Sequence, residues 1–336
     1  MTLSILCSSC KKQPLISVCI PVFRTEKYLA RCLESVISQD FPDFEIVIVN
    51  DASDGKDEKT LSCKKIVRMA EKSAAHSRKE MQHPPVTFTY IENRTNMQTI
   101  ETRRTLVEAA CAPYIAMLDS DDELLPGALS ALYEAAKESE ADIVHAQMEI
   151  PLGTEEMRCG INARSEKPLR QKEIIGSFLR QEHSGYLCAK LIRRDLYLKA
   201  FSHIPFTKCV MADDFLIYFF AALEAQSYVS IPKAVYRYDI STGISSPAKI
   251  SSLERWEQIC SAANVFTVIF DELSHLPAGT LTEEETDRIR IRCRWYLQNN
   301  LSQLAQSVIP ELQAAARFML CDYWGEDFVE ETETRI

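Results

Sequence analysis

An α/β fold, with a mostly parallel sheet flanked by helices and an all-helical C-terminal extension, is what the sequence predicts. Three observations carry that reading. Short β-rich runs alternate with amphipathic helical stripes from residue 16 to residue 147, the pattern of a parallel sheet with helices on both faces. From about residue 250 the periodicity turns wholly helical. Only 9 glycines occur in 336 residues, where average usage would give about two dozen. None of them forms G-x-G-x-x-G or G-x-x-x-x-G-K-[ST], so dinucleotide-binding and P-loop versions of the plan are excluded.

The elements follow in order. Ile16-Ser-Val-Cys-Ile20 is a β-rich run stopped by Pro21, and Glu26 to Gln39 then carries Leu29, Cys32, Leu33, Val36 and Ile37 at helical spacing. Glu45-Ile-Val-Ile-Val-Asn50 is a second strand, one βαβ length after the first. The charged stretch from Lys56 to Gln82 reads as a long exposed helix closed by Pro84-Pro85. Strand Val86 to Ile91, a helix through Ile100, Leu106, Val107 and Ala110, and strand Tyr114-Ile-Ala-Met-Leu118 come next. Pro126 marks the first turn of a helix carrying Leu129, Leu132, Tyr133 and Ala136, and Asp142 to Gln147 is a fifth strand.

Pro151 to Arg170 lacks periodicity and reads as a connecting segment. Short helices and two strands, Tyr228 to Ile231 and Val235 to Tyr238, fill residues 171–249. In the extension, Thr282-Glu-Glu-Glu285 has capping-box spacing, Leu297, Leu301, Leu304, Ala305 and Val308 share one face, and Pro310 restarts a last helix ending near Gly325.

Composition narrows the function classes. The chain is 46% hydrophobic and 26% charged, so it can bury a core, and Lys+Arg 38 against Asp+Glu 48 leaves −10. That acidity argues against a nucleic-acid binder. The longest apolar stretch, Phe215 to Leu223, is about half of what spans a bilayer. The first cations, Lys11 and Lys12, follow the N-terminal apolar residues, the reverse of a secretory signal, so a cytoplasmic protein is expected. In that setting the 12 cysteines read as reduced thiols. Cys7 and Cys10 have zinc-knuckle spacing without a second Cys/His pair, and no H-E-x-x-H occurs.

The sharpest chemical signal is Asp119-Ser-Asp-Asp122, directly after a buried-looking strand. Ligands of open α/β sheets bind at the carboxyl ends of strands. Carboxylates two apart there are hard oxygen ligands suited to Mg²⁺ or Mn²⁺, which bridge substrate phosphates. One acid of the group, Asp122 or Glu123, is expected to cap the helix near Pro126. The second strand also ends acidic, at Asn50-Asp-Ala-Ser-Asp54, where a carboxylate can meet an imide N–H or a sugar hydroxyl; a plain turn is the competing reading.

Ile16 to Leu29, Gln39 to Asp54 and Tyr114 to Asp122 resemble, in order and spacing, family-2 glycosyltransferases of the GT-A fold. The resemblance covers about residues 15–150 and resumes at Cys188 to Asp195, Asp213-Asp-Phe215 and Ile231 to Tyr238. It implies a tail (1–14), a nucleotide-sugar-binding half (15–150), an acceptor-binding half (151–249) and a helical extension (250–336). It also implies inverting transfer of a sugar from a nucleoside diphosphate, uridine diphosphate favoured, to a hydroxyl of a glycan, glycolipid or glycoprotein.

By that similarity Asp51 contacts the base, Pro21 and Phe23 line its pocket, and Glu26 reaches the ribose or base edge. Asp119 and Asp121 occupy the D-x-D positions, Asp119 towards ribose and metal water and Asp121 on the Mn²⁺ or Mg²⁺ itself. Arg103 faces the diphosphate, its neighbour Arg104 pointing elsewhere. Asp214 is the base that takes the acceptor's proton, with Asp213 as partner or substitute. Helix N-capping is the alternative for that pair. Lys190 would touch acceptor or phosphate, and Arg237, between Tyr236 and Tyr238 in a flap that also includes Ser245, would touch phosphate.

Departures from the family pattern are Arg24 for asparagine, Asn50 for aspartate, and a glycine-free Asn96 to Arg103. They leave open a degenerate transferase acting as a scaffold. Leu118-Asp-Ser-Asp121 also resembles the D-x-D of haloacid-dehalogenase-like phosphatases, but Glu123 stands where that motif wants Thr or Val. The expected setting is cell-surface glycan synthesis at the inner membrane face. There Lys64, Lys65, Arg68 and Lys72 make a basic patch for peripheral contact, and the extension pairs two copies.

Overall fold

The computed structural model describes residues 13–151, 157–159, 165–240 and 249–334; Cys7, Cys10 and Ser245 lie outside them. The described residues form two compact units, one of 13–202 with 218–240 and one of 203–217 with 249–334.

The first unit is built on one mixed sheet. Its leading half alternates β1 (Ile16–Val22), α1 (Glu26–Ile37), β2 (Phe44–Asn50), α2 (Cys63–Glu80), β3 (Thr87–Glu92), α3 (Gln98–Ala109) and β4 (Tyr114–Met117). Next come β5 (Glu123–Leu124), α4 (Ala128–Ser139), β6 (Ile143–Pro151), β7 (Met157–Cys159) and β8 (Leu169–Arg170). After α5 (Lys172–Leu179) follow β9 (Lys190–Arg193), α6 (Arg194–Ser202), α7 (Asp213–Glu224), which is divided between the units, and β10 (Ser227–Arg237). The strand order is β3-β2-β1-β4-β9-β6-β10-β5.

Strands β3, β2, β1 and β4 are mutually parallel, and β1 and β2 are apolar along nearly their whole length because both faces are covered. Ile16, Val18, Ile20 and Val22 join a core with Leu29 and Leu33 of α1, Ile66 of α2 and Leu129 of α4. Cys19, on the opposite face, points its thiol at the Leu106 carbonyl of α3. Chain order reverses at β1, whose neighbours are β2 and β4, so the carboxyl ends of these three strands border a switch point.

Several expectations change. The sheet is parallel only through its first four strands and the β6–β10 pair; β9 is inserted antiparallel between β4 and β6. Helix α2 begins at Cys63, not near Lys56, because the Asp57 carboxylate accepts the Lys59 and Leu61 amides at 3.0 and 2.6 Å and folds that stretch into a turn. The stretch read as a connection holds β7 and β8. The two late strands are one, β10, whose register on β6 shifts between Ser230 and Tyr236 around Pro232, a residue with no amide to donate.

The second unit contains α8 (Leu253–Cys260), α9 (Ala262–His275), α10 (Glu283–Gln306), α11 (Gln313–Trp324) and α12 (Glu326–Glu333). The capping box at Thr282 and Glu285 closes the start of α10 with reciprocal bonds of 2.8 and 3.2 Å. Trp256 is fully buried and donates its indole N–H to the Ala316 carbonyl at 2.8 Å, beside Leu297, Leu301, Leu304 and Val308. Gly325, at φ +82, permits the corner between α11 and α12. Among the described residues no helix is long and apolar enough to cross a membrane.

Candidate active site

Three strand ends of the first unit bring together most of the residues singled out above. Pro21 is half-buried in β1, and Phe23, just past its end, is exposed with the Arg24 guanidinium 5.0 Å above its ring. Arg24 sits at φ +56, where asparagine is better tolerated, and is fixed by its amide's bond to Ser53 Oγ at 2.8 Å. Its side chain also lies 3.7 Å from Asp54.

Asp51 follows β2 and is buried. Its Oδ1 accepts Asn93 Nδ2 and the Met97 amide, both at 2.8 Å, and its Oδ2 accepts the Gln98 amide at 3.0 Å. The loop entering α3 is therefore anchored on this carboxylate. Glu26, in the first turn of α1, is 1% exposed, and its Oε1 has no hydrogen-bond partner. A Cβ on Gly55 would run into the Glu26 carboxylate, so a larger residue there must move that side chain.

Asp119 and Asp121 follow β4. Helix α1 holds their loop by its backbone and by Ser120. The Ser120 hydroxyl is 2.6 Å from Thr25 Oγ1, Arg31 donates to the Asp121 carbonyl at 2.7 Å, and the Leu124 amide bonds Ser35 Oγ at 3.0 Å. Arg103 of α3, 5% exposed, reaches Asp119 Oδ1 at 3.0 Å. Arg104 turns away to Glu101 and to the Phe201 carbonyl.

Asp122 and Glu123 do not cap α4, contrary to expectation. The N-cap of α4 is Gly127, while Asp122 is buried and accepts the Tyr236 hydroxyl and the Asp239 amide, both at 2.7 Å. Burial, and then the Asp119 charge, push its carboxyl up to about 8. Glu123 pairs with Arg31 at 3.1 Å.

The remaining candidates stand on other elements. Lys190 is buried in β9, donates to the Tyr186 carbonyl, and holds its ammonium 4.8 Å over the Tyr218 ring. Arg237, near the end of β10, lies 3.9 Å from both Glu123 and Glu149. Asp213 and Asp214 form the first turn of α7, in the part that belongs to the second unit. Asn93, Arg31 and Tyr236 do the anchoring that the sequence did not announce. Asn93 lies 42 positions from the carboxylate it binds, and nothing local marks it.

The acids after β4 suit a divalent cation in donor chemistry, being hard oxygens in a locally negative field. Among the described residues no three His, Cys, Asp or Glu side chains gather around one point, so such an ion would draw its other ligands from substrate oxygens and water.

Comparison with known proteins gives a consistent picture. Residues 17–201 match the model of glycosyl transferase family 2. Glycosyltransferase GlyG of Streptococcus pneumoniae serotype 4 is 28% identical over 130 residues, which is 39% of this chain and 38% of that protein. GlyA of the same organism is 33% identical over 128 residues, 38% of this chain and 16% of GlyA. The chain thus spans well under half of these relatives. S. aureus TarS 1-349 in complex with UDP-GlcNAc superposes with a TM-score of 0.53 at 20% identity, covering 96% of this chain and 92% of that one. Mannosyltransferase PcManGT from Pyrobaculum calidifontis, in complex with GDP-Man and Mn²⁺, gives 0.52 at 15% identity, covering 96% and 84%. At these identities the likeness establishes the GT-A type of fold.

Proposed function

The chain belongs to glycosyl transferase family 2, and from that premise we propose that it transfers a sugar, with inversion, from a nucleoside-diphosphate sugar to an acceptor hydroxyl. The observation that carries the proposal is the pairing of Arg103 with Asp119 at 3.0 Å, at the end of the strand whose loop also presents Asp121. That arrangement sets a guanidinium and two carboxylates beside the switch point of the sheet.

Residues 15–150 bind the donor and 151–249 the acceptor. Asp51, Pro21, Phe23 and Glu26 hold the base and ribose, Arg103 neutralises charge growing on the departing diphosphate, Lys190 touches acceptor or phosphate, and Arg237 touches phosphate. Asp119 and Asp121 would hold Mn²⁺ or Mg²⁺, which supplies a Lewis acid for the diphosphate oxygens. The complexes of TarS with UDP-GlcNAc and of PcManGT with GDP-Man and Mn²⁺ support both a nucleotide-sugar donor and a divalent ion. Asp214 accepts the acceptor's proton, and Asp213 orients or replaces it. Preorganised charge of this kind is worth ~10²–10³ in rate per donor group.

The product is a cell-surface polysaccharide, glycolipid or glycoprotein glycan, made on the cytoplasmic side of the membrane. Lys65, Arg68 and Lys72 on one exposed face of α2, with Lys64 beside them, support a peripheral contact there. Exposed Ile291, Trp295 and Phe318 of α10 and α11 support self-association through the extension.

The test is release of nucleoside diphosphate from sugar donors with Mn²⁺, by the wild type and by Asp121→Ala. Divalent-dependent release that the substitution abolishes supports the transferase. Donor binding without turnover favours the scaffold reading, and phosphate release from a monoester favours a phosphatase.

A further inference from the structure

The helical extension holds a cavity that sugar transfer does not call upon. It lies inside the second unit and has a volume of about 380 Å³, within the range of small-ligand sites, about 300–1,000 Å³. Its walls are aromatic. Phe266 and Phe270 stand one turn apart on α9, Trp324 ends α11, and Phe328 lies in the first turn of α12. The Trp324 ring is 6.2 Å from that of Phe266 and, across the corner at Gly325, 6.4 Å from that of Phe328. Its indole N–H is already given to Asn300 Oδ1 at 3.0 Å, which fixes the ring. Phe266 is buried, whereas Phe270 is 36% exposed.

Polar groups of both kinds stand beside these rings. Arg290 and Arg294, one turn apart on α10, complete the lining. Among the described residues each makes one hydrogen bond, Arg290 to Asp287 Oδ1 at 2.7 Å and Arg294 to Glu331 Oε1 at 3.5 Å. Most of the five N–H donors of each guanidinium are therefore left over. The two carboxylates place acceptors next to those donors.

We propose that this cavity is a saccharide-binding site, made of none of the residues assigned to donor, metal or proton transfer. A pyranose ring has an apolar face of C–H bonds, whose slight positive charge suits the negative face of an aromatic ring. Its edge carries hydroxyls, each both donor and acceptor. Guanidinium and carboxylate side by side meet such an edge. The same mixture disfavours a phosphate, which Asp287 and Glu331 repel, and a cation, which both arginines repel. On the reading of the chain as a glycosyltransferase, the site engages a glycan acceptor at a second point and raises its effective concentration. The site itself does not depend on that reading.

The experiment is calorimetric titration of the full chain with cellotetraose and chitotetraose, neutral oligomers of glucose and of N-acetylglucosamine, with tryptophan emission followed in parallel. Inorganic phosphate is the anionic contrast. At least one tetrasaccharide is expected to bind and to change the emission, and phosphate should not displace it. Phe270→Ala and Arg290→Ala alter exposed side chains, and thermal melts establish that they fold. Each should weaken saccharide binding roughly three- to tenfold, while Trp324→Phe keeps the binding and loses the emission change. Release of nucleoside diphosphate without acceptor should match the wild type in all three variants. Binding that Phe270→Ala and Arg290→Ala leave untouched, displacement by phosphate, or binding of neither tetrasaccharide overturns the proposal. A sedimenting mass that falls in Phe270→Ala gives the cavity to a second copy of the chain and overturns it too. Saccharide binding in a chain that turns over no donor removes the transferase reading and leaves the site standing.

Discussion

The guanidinium of Arg103 lies 3.0 Å from Oδ1 of Asp119, while the next residue, Arg104, is committed to Glu101 and the Phe201 carbonyl. One helix thus supplies two arginines with separate duties. Replacing Arg103 by alanine should lower kcat by ~10²–10³, and lysine should restore only part because it lacks the planar fork. Arg104→Ala should leave kcat nearly unchanged and lower the melting temperature. Steady-state assays of nucleoside diphosphate release, paired with thermal melts, separate the two.

Gly55→Ala places a methyl group against Glu26 Oε2 and must displace that carboxylate. The expected result is a raised KM for the donor with kcat little altered, since Glu26 is assigned to binding. Glu26→Ala alone should raise KM similarly, and adding Gly55→Ala to it should cost nothing more. Additive losses in the double variant would remove Glu26 from the donor site.

Arg78 of α2 is 1% exposed and donates to the carbonyls of Gln39, Pro42 and Pro84 while lying over the Phe44 ring. Burial lowers its pKa, and the acceptors of these three hydrogen bonds are neutral carbonyls. Alanine would leave three acceptors without their donor, a loss of about 3 kcal/mol. Urea titration should show the lower midpoint, with activity per folded molecule preserved.

His183 is buried among Phe178, Tyr218 and Tyr228, with Ser177 Oγ 3.1 Å from its Nδ1. Burial, and then the Lys190 charge, push its pKa down to about 3 from an ordinary 6.5. The unfolded chain binds this proton first as the solution is acidified. The folded state therefore keeps the full benefit above pH 6.5 and loses it between 6.5 and about 3, by about 1.4 kcal/mol per pH unit. Melting temperatures from pH 7 to pH 4 should fall less steeply in His183→Phe than in the wild type.

Where local pattern and packing agree, the sequence is informative. Strands β1 and β2 are buried on both faces and show it as unbroken apolar runs, and α1 shows its core face at Leu29, Cys32, Leu33, Val36 and Ile37. Strand β9 escapes because only Leu191 and Ile192 of its four residues are apolar, and Lys190 is buried against its usual preference. At the candidate site, acids after strands are visible as types and positions. Their division of labour is not. Asp122 differs from Asp119 and Asp121 only because Tyr236, 114 positions away, folds back to meet it.

The insertion of β9 has a consequence for biosynthesis. Strand β6 emerges from the ribosome some forty residues before β9, yet β9 is what joins it to β4. Until residue 193 has been translated, the nascent polypeptide carries an open edge along Tyr114–Ala116 and another along Ile143–His145. Such edges invite pairing with other chains. Translation that pauses before β9 therefore creates a window of vulnerability to aggregation, which narrows when the four residues of β9 cover both of these edges and closes for β6 only when β10 covers its other side.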